Sequence, residues 1–264
     1  MPMVKINNIN LYYESWGKGK PLVFVNAFSA RHSSYLTLSE NYTKTHQVIL
    51  FDNRGCGQSD CPDIPYTIEM MADDLAELCR ALQLPSCYFF GTSMGGAIVQ
   101  MLAYKYPELV HSAILCNSFM TLDIRFALCA KAQLSLMQTG TPLKTLAQDI
   151  LGWIFSSAYL EKPGVIDSLI EMRSTDPYPI SEIGYRNQLH ALLSFNSRPW
   201  VSQIKAPTFV LGSDRDMIIA EEHMKEMARL IPKAQYYSFE GAGHVPFLEQ
   251  PERFHEIISN LIIP

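Results

Sequence analysis

Five short stretches of this chain are apolar at nearly every position: Leu22-Val23-Phe24-Val25, Val48-Ile49-Leu50-Phe51, Cys87-Tyr88-Phe89-Phe90, Ala113-Ile114-Leu115-Cys116 and Thr208-Phe209-Val210-Leu211. A strand with one face in water alternates polar and apolar residues. A run without alternation belongs to a strand covered on both faces. Helical patterns separate these runs. Thr67 is placed to cap a helix over 67–82, with Leu75, Leu78, Cys79 and Leu82 on one face. Others are predicted over 94–106, closed by Pro107, over 221–230, and over 251–262, opened by Pro251 and Glu252. Such alternation predicts a mostly parallel sheet with helices on both faces. Two further strands, 3–6 and 9–15, predict a hairpin turning at Asn7-Asn8, and another strand is predicted over 235–239. With 264 residues, 48% of them hydrophobic and 18% charged, the chain has ample material for such a core.

Between 119 and 200 the alternation stops. Helical patterns over 122–139, 142–155, 165–173 and 181–195 follow one another, the second with Thr141 as N-cap and Pro142 at the first helical position. This block reads as an insertion at one edge of the sheet. The predicted organisation is a core of 1–118 and 201–264 carrying a helical cap, 119–200. A net charge of −5 without a basic run argues against nucleic acid as a partner. No apolar run approaches the roughly 20 residues that span a bilayer. Residues 1–6 have no apolar segment behind a basic start, so a cytoplasmic location is expected. The six cysteines form no C-x-x-C pair and have no histidine cluster at zinc spacing. Reduced thiols are expected, with no metal and no cofactor.

The chemistry concentrates just beyond the predicted strands. Gly91-Thr92-Ser93-Met94-Gly95 fits G-x-S-x-G and lies between an apolar strand and a helix, the setting of a nucleophile elbow. The sharp turn strains the serine backbone, and bulky residues two positions either side would collide. An exposed Ser93 hydroxyl is expected there. Serine needs a base. Of seven histidines, His244 stands apart, in Gly241-Ala242-Gly243-His244-Val245-Pro246 after the last strand. The imidazole in turn needs a carboxylate, and Asp214 and Asp216 both follow the strand 208–211. The chain order is serine, aspartate, histidine.

These motifs resemble the serine hydrolases of the α/β-hydrolase superfamily, in the esterase and lactonase branch. The resemblance covers about 22–117 and 201–262. It rests also on Asp52-Asn53-Arg54-Gly55-Cys56-Gly57-Gln58-Ser59, read as a structural turn, and on Pro251-Glu252-Arg253-Phe254. It implies an eight-stranded, mostly parallel sheet flanked by helices, with an inserted cap. Relatives place the acid in Gly-x-x-Asp before an apolar pair. Aligned without a gap, that pattern puts it at Asp216, ahead of Met217-Ile218, and leaves Asp214 as a turn residue bonding local backbone. The resemblance also implies backbone oxyanion donors at Phe28 and Met94. Many relatives carry His-Gly where this chain has Asn26-Ala27, so Ala27 constrains the backbone before Phe28. Asn26 and Pro65-Tyr66-Thr67-Ile68-Glu69 resemble the 3-oxoadipate enol-lactonases.

The expected activity is cleavage of a small, largely apolar carboxylic ester or lactone through an acyl-enzyme. Trp153, Phe155 and Tyr159 are the cap residues expected to bind substrate. Arg125, Arg173, Arg186 and Arg198 are candidates for a substrate carboxylate. Competing readings are an enol-lactonase, a C–C bond hydrolase or a perhydrolase with the same triad, and a non-catalytic ligand receptor on a hydrolase scaffold. The expected partner is the small-molecule substrate, with a homodimer left open.

Overall fold

The computed structural model describes residues 2–263; residues 1 and 264, the outer ends of the two predicted core segments, lie outside them. The chain opens with β1 (Met3–Ile6) and β2 (Ile9–Trp16), joined through Asn7 and Asn8, both at positive φ as a tight hairpin requires. There follow β3 (Lys20–Val25), α1 (Leu36–Glu40), β4 (His46–Phe51), α2 (Ile68–Ala81), β5 (Cys87–Thr92), α3 (Met94–Lys105) and β6 (Val110–Cys116). Five helices come next: α4 (Ile124–Gln138), α5 (Leu143–Ile154), α6 (Ser157–Leu160), α7 (Val165–Ser174) and α8 (Glu182–Ser194). The chain ends with β7 (Thr208–Ser213), α9 (Glu221–Leu230), β8 (Gln235–Phe239), α10 (Pro246–Glu249) and α11 (Pro251–Leu261).

The eight strands form one sheet in the order β1-β2-β4-β3-β5-β6-β7-β8. Only the β1–β2 and β2–β4 pairings are antiparallel. Each central strand splits its apolar residues between two cores. Val23, Val25, Ile49, Phe51 and Phe89 join the α2 and α3 side, with Leu75, Leu78 and Ile98. Leu22, Phe24, Val48, Leu50 and Phe90 join the other, with Tyr35, Phe247 and Phe254. The continuous apolar runs follow from this two-sided burial. Thr67 caps α2 as expected, its hydroxyl accepting from the Met70 amide at 3.0 Å.

The structure revises several boundaries. β5 and β7 run on to Thr92 and Ser213, past the ends of their apolar runs. At α5 the N-cap is Pro142, not Thr141: its carbonyl accepts from Thr145 and Leu146. α4 starts at Ile124, because the Asp123 side chain takes the capping role and accepts from the Arg125 amide. The helical insertion is not at a lateral edge of the sheet. It joins β6 to β7, which are parallel paired neighbours inside the sheet, so it leaves the carboxyl end of β6 and returns to the amino end of β7. An antiparallel bridge between Thr121 and Asn196 closes its neck.

Candidate active site

The sheet order places the site. From β3 the chain crosses to β4 on one side and later to β5 on the other, leaving a crevice beyond the carboxyl ends of β3 and β5. Open parallel sheets build their sites at such switch points. The loop after β3 holds Asn26–Phe28 and the turn after β5 holds Ser93.

Ser93 has φ 54° and ψ −118°, a strained conformation for a residue with a side chain. Glycines make the turn possible. A Cβ on Gly95 would come within 2.0 Å of the Val25 carbonyl oxygen, and one on Gly91 within 2.4 Å of that of Gly95. The Ser93 amide donates to the Cys116 carbonyl at 2.9 Å, and its own carbonyl accepts from the Ser118 hydroxyl at 2.9 Å. The turn is thus pinned to the end of β6. Ser93 is 6% exposed, so the expected open hydroxyl is instead set beneath surrounding structure.

Asp216 and His244 meet. His244 Nδ1 lies 2.7 Å from Asp216 Oδ2, and both side chains are buried. The other oxygen, Oδ1, accepts from the amides of Ile218 at 2.8 Å and Ile219 at 3.0 Å, which fixes the carboxylate plane. Asp214 points elsewhere. It accepts from the Gly241 amide at 2.6 Å, so its partner is the histidine loop and not the backbone of its own turn. No hydrogen bond joins Ser93 to His244 among the described residues; such couples are often loose without substrate and tighten when it binds.

Met94 opens α3, where the first amides have no acceptor inside the helix. The loop carrying Phe28 is tied down on both sides. Asn26 donates to the Phe51 carbonyl, and the Ser29 amide donates to Gln188 of α8 at 3.0 Å. The left-handed conformation falls on Ser29, at φ 58°, and not on Ala27, so the missing glycine does not strain this loop. The Phe28 ring packs 4.5 Å from that of Tyr185 of α8.

The three named cap aromatics separate. Phe155 and Tyr159 stack at 5.3 Å within a small cluster containing Leu151, Leu169 and Ile170, while half-buried Trp153 packs on the main core. Among the arginines, Arg125 pairs with Asp123, Arg186 with Asp63 and Arg198 with Glu226. Arg173 has no ion-pair partner among the described residues, and its removal from water lowers its pKa. The Asp52–Ser59 stretch is consumed by structure. Asp52 accepts from the His32 and Gln58 amides, and buried Arg54 pairs with Asp74. All six cysteines are free thiols. Among the described residues there is no group of three metal-ligating side chains and no helix long and apolar enough to cross a membrane.

Two buried residues at this site escaped the sequence reading. Asn117, directly after β6, donates from Nδ2 to the carbonyls of Gly243 at 3.2 Å and His244 at 3.0 Å. Glu249 accepts from the Gly243 amide at 3.0 Å and from the Ser156 hydroxyl at 2.5 Å. Neither carries a local signal, since Asn117 is followed by polar Ser118 and Glu249 by polar Gln250.

Residues 20–251 match the family described as alpha/beta hydrolase fold. The chain is 28% identical to 3-oxoadipate enol-lactonase 2 of Acinetobacter baylyi, over 96% of this chain and 92% of that one. A thermophilic esterase from Thermogutta terrifontis superposes with a TM-score of 0.87 at 27% identity, covering 99% of this chain and 98% of that one. An enol-lactonase from Burkholderia xenovorans shares the fold, with a TM-score of 0.88 at 24% identity over 98% of both chains. With its eight-stranded sheet, its serine turn after β5 and a family match across most of its length, the chain belongs to the alpha/beta hydrolase fold family.

Proposed function

We propose that this protein is a serine hydrolase of a small, largely apolar carboxylic ester or lactone. The observation that carries the reading is the buried 2.7 Å contact between His244 Nδ1 and Asp216 Oδ2, in the loops after β8 and β7, at the same carboxyl edge of the sheet as the strained Ser93 turn after β5. Asp216 holds the imidazole in the tautomer whose Nε2 is free to accept a proton. Ser93 Oγ adds to the substrate carbonyl and its proton passes to His244 Nε2. The negative oxygen is held by the amides of Phe28 and Met94. As the C–O bond breaks, the leaving alkoxide takes the proton from His244. A water then adds to the acyl-serine with His244 again as base, releasing the acid and Ser93. For a lactone the alkoxide stays attached to the acyl group, and the product is one hydroxy acid or its keto form.

Hydrolysis of p-nitrophenyl acetate and butyrate, with Ser93→Ala as control, tests the reading. Wild type should turn over and the variant should fall to background with its thermal unfolding unchanged. An organophosphonate should add one group, to the peptide carrying Ser93. Labelling elsewhere, or ligand binding without turnover of any ester or lactone, would favour a receptor on this scaffold.

An acidic lactone is a second reading, supported by Arg173. Half-buried Arg173 has no ion-pair partner among the described residues and is partly desolvated beside Tyr185, whose ring packs on that of Phe28, and a substrate carboxylate would supply the partner. The similarity to an enol-lactonase, 28% identical, points the same way. A lower KM for carboxylate-bearing than for neutral lactones of equal size would select this reading.

A further inference from the structure

The backbone of Gly243 and His244 has every polar group occupied, by Asn117 and Ile154 from distant parts of the chain and by Glu249 from the turn that follows. Asn117 Nδ2 takes both carbonyls, at 3.2 and 3.0 Å. Glu249 Oε1 takes the Gly243 amide at 3.0 Å. The His244 amide donates at 2.7 Å to the carbonyl of Ile154, the last residue of α5. Glu249 also reaches the cap: it accepts from the Ser156 amide at 3.2 Å and from the Ser156 hydroxyl at 2.5 Å. Gly243 leaves no slack, since a Cβ there would lie 2.7 Å from Glu249 Oε1, from the Ile154 carbonyl oxygen and from the Ser156 amide.

Glu249 is 8% exposed. A buried carboxylate is tolerated when several donors satisfy it, and here all its donors come from the histidine loop and the cap corner at Ile154–Ser156. Helix α5 ends at that corner, and its unpaired terminal carbonyl is satisfied by the amide of His244 itself. The corner and the imidazole are thus parts of one rigid hydrogen-bonded unit.

We propose that Glu249, with Asn117, is a positioning residue that clamps the Gly243–His244 peptide, and that through Ser156 and Ile154 the clamp makes the aim of His244 depend on the seating of the cap. The proposal rests on the reading of His244 as the general base. Base catalysis tolerates little misplacement, and a shift of about 1 Å can cost about a hundredfold in rate. A cap that moves carries the His244 amide with it. A cap seated over substrate restores the aim towards Ser93.

The test compares Glu249→Ala, Glu249→Gln and Ser156→Ala with wild type, using p-nitrophenyl butyrate, thermal unfolding and the far-downfield proton NMR signal of the His244 Nδ1–H. Glu249→Ala should lower kcat about 10- to 100-fold with KM within about twofold, and should broaden or shift that signal in folded protein. Glu249→Gln keeps an acceptor for the Gly243 and Ser156 amides and should recover most of kcat. Ser156→Ala, which leaves its own amide in place, should lose less than Glu249→Ala. Should Glu249→Ala fail to fold, the Gln and Ser156 variants carry the comparison. Unchanged kcat and an unchanged NMR signal in folded variants would overturn the proposal, as would an effect confined to KM or to stability. If wild type hydrolyses no ester or lactone, the proposed function fails by itself, and the NMR signal still decides whether Glu249 positions His244.

Discussion

Asp214 and Asp216, separated only by Arg215, do different work. Asp216 holds His244 at 2.7 Å, whereas Asp214 holds the Gly241 amide at 2.6 Å. Changing a carboxylate to an amide affects them differently. In Asp216→Asn the Oδ1 acceptor can still serve Ile218 and Ile219, but the new NH2 faces Nδ1 and forces the wrong tautomer. A loss of about 10⁴ in kcat is expected with the fold retained. In Asp214→Asn the amide oxygen still accepts from Gly241, so kcat should stay within about tenfold of wild type. Ester kinetics and unfolding curves of both variants check this; a dead Asp214→Asn beside an active Asp216→Asn would reverse the assignment. The motif alignment already selected Asp216 from the apolar pair behind it. What the alignment could not supply was the partner of Asp214, which lies 27 positions away.

Among the elements, α9 shows how a single carboxylate can fasten a helix to the sheet. Glu221, in its first turn, accepts from Lys225 at 2.7 Å, from the Ser238 hydroxyl at 2.6 Å and from the Tyr236 hydroxyl at 2.8 Å. The Lys225 bond first, then that from Ser238, pulls its pKa down to about 2. A carboxylate held below its unfolded value stabilises the fold above that value and loses the contribution as pH falls towards the folded one. The relevant window runs from about pH 4.3 down to about 2. Glu221→Gln should therefore cost roughly 1–3 kcal/mol at pH 7, and the gap to wild type should shrink between pH 4 and pH 3. Urea unfolding at the three pH values measures it; a gap that does not narrow would mean that the charge is not what Glu221 contributes. Long elements such as α9 were legible from their period. α1, α6 and α10 were not, because helices of 5, 4 and 4 residues are too short to display one.

At the scale of the whole molecule, the cap is tied to the core through the residues that bear on His244. That gives its aromatics different expected effects. Half-buried Trp153 packs on the main core, and Trp153→Ala should change the ratio of kcat/KM between long and short acyl esters, by about tenfold. Phe155 lies between Ile154 and Ser156, both bonded to the histidine side of the site, and its ring stacks on Tyr159. Phe155→Ala should lower kcat at every chain length, and Tyr159→Ala should do so more weakly. An acetate-to-octanoate series separates the two patterns. A Phe155→Ala variant altered only in chain-length preference would leave the cap uncoupled from the base.

The period of apolar residues and the positions of glycine sufficed to place the buried strands, the hairpin, the serine turn and the loop of His244. Each is a local constraint: two-sided burial, a positive φ, a close backbone approach. The seating of the insertion between β6 and β7, the burial of Ser93 and the packing of Phe155 on Tyr159 were decided only by the folded chain. So were Asn117 and Glu249, whose partners lie 127 and 93 positions away at His244 and Ser156. A hydrogen bond over that separation leaves no period, no turn signature and no charge pattern, because its geometry exists only once the sheet has brought its strand ends together.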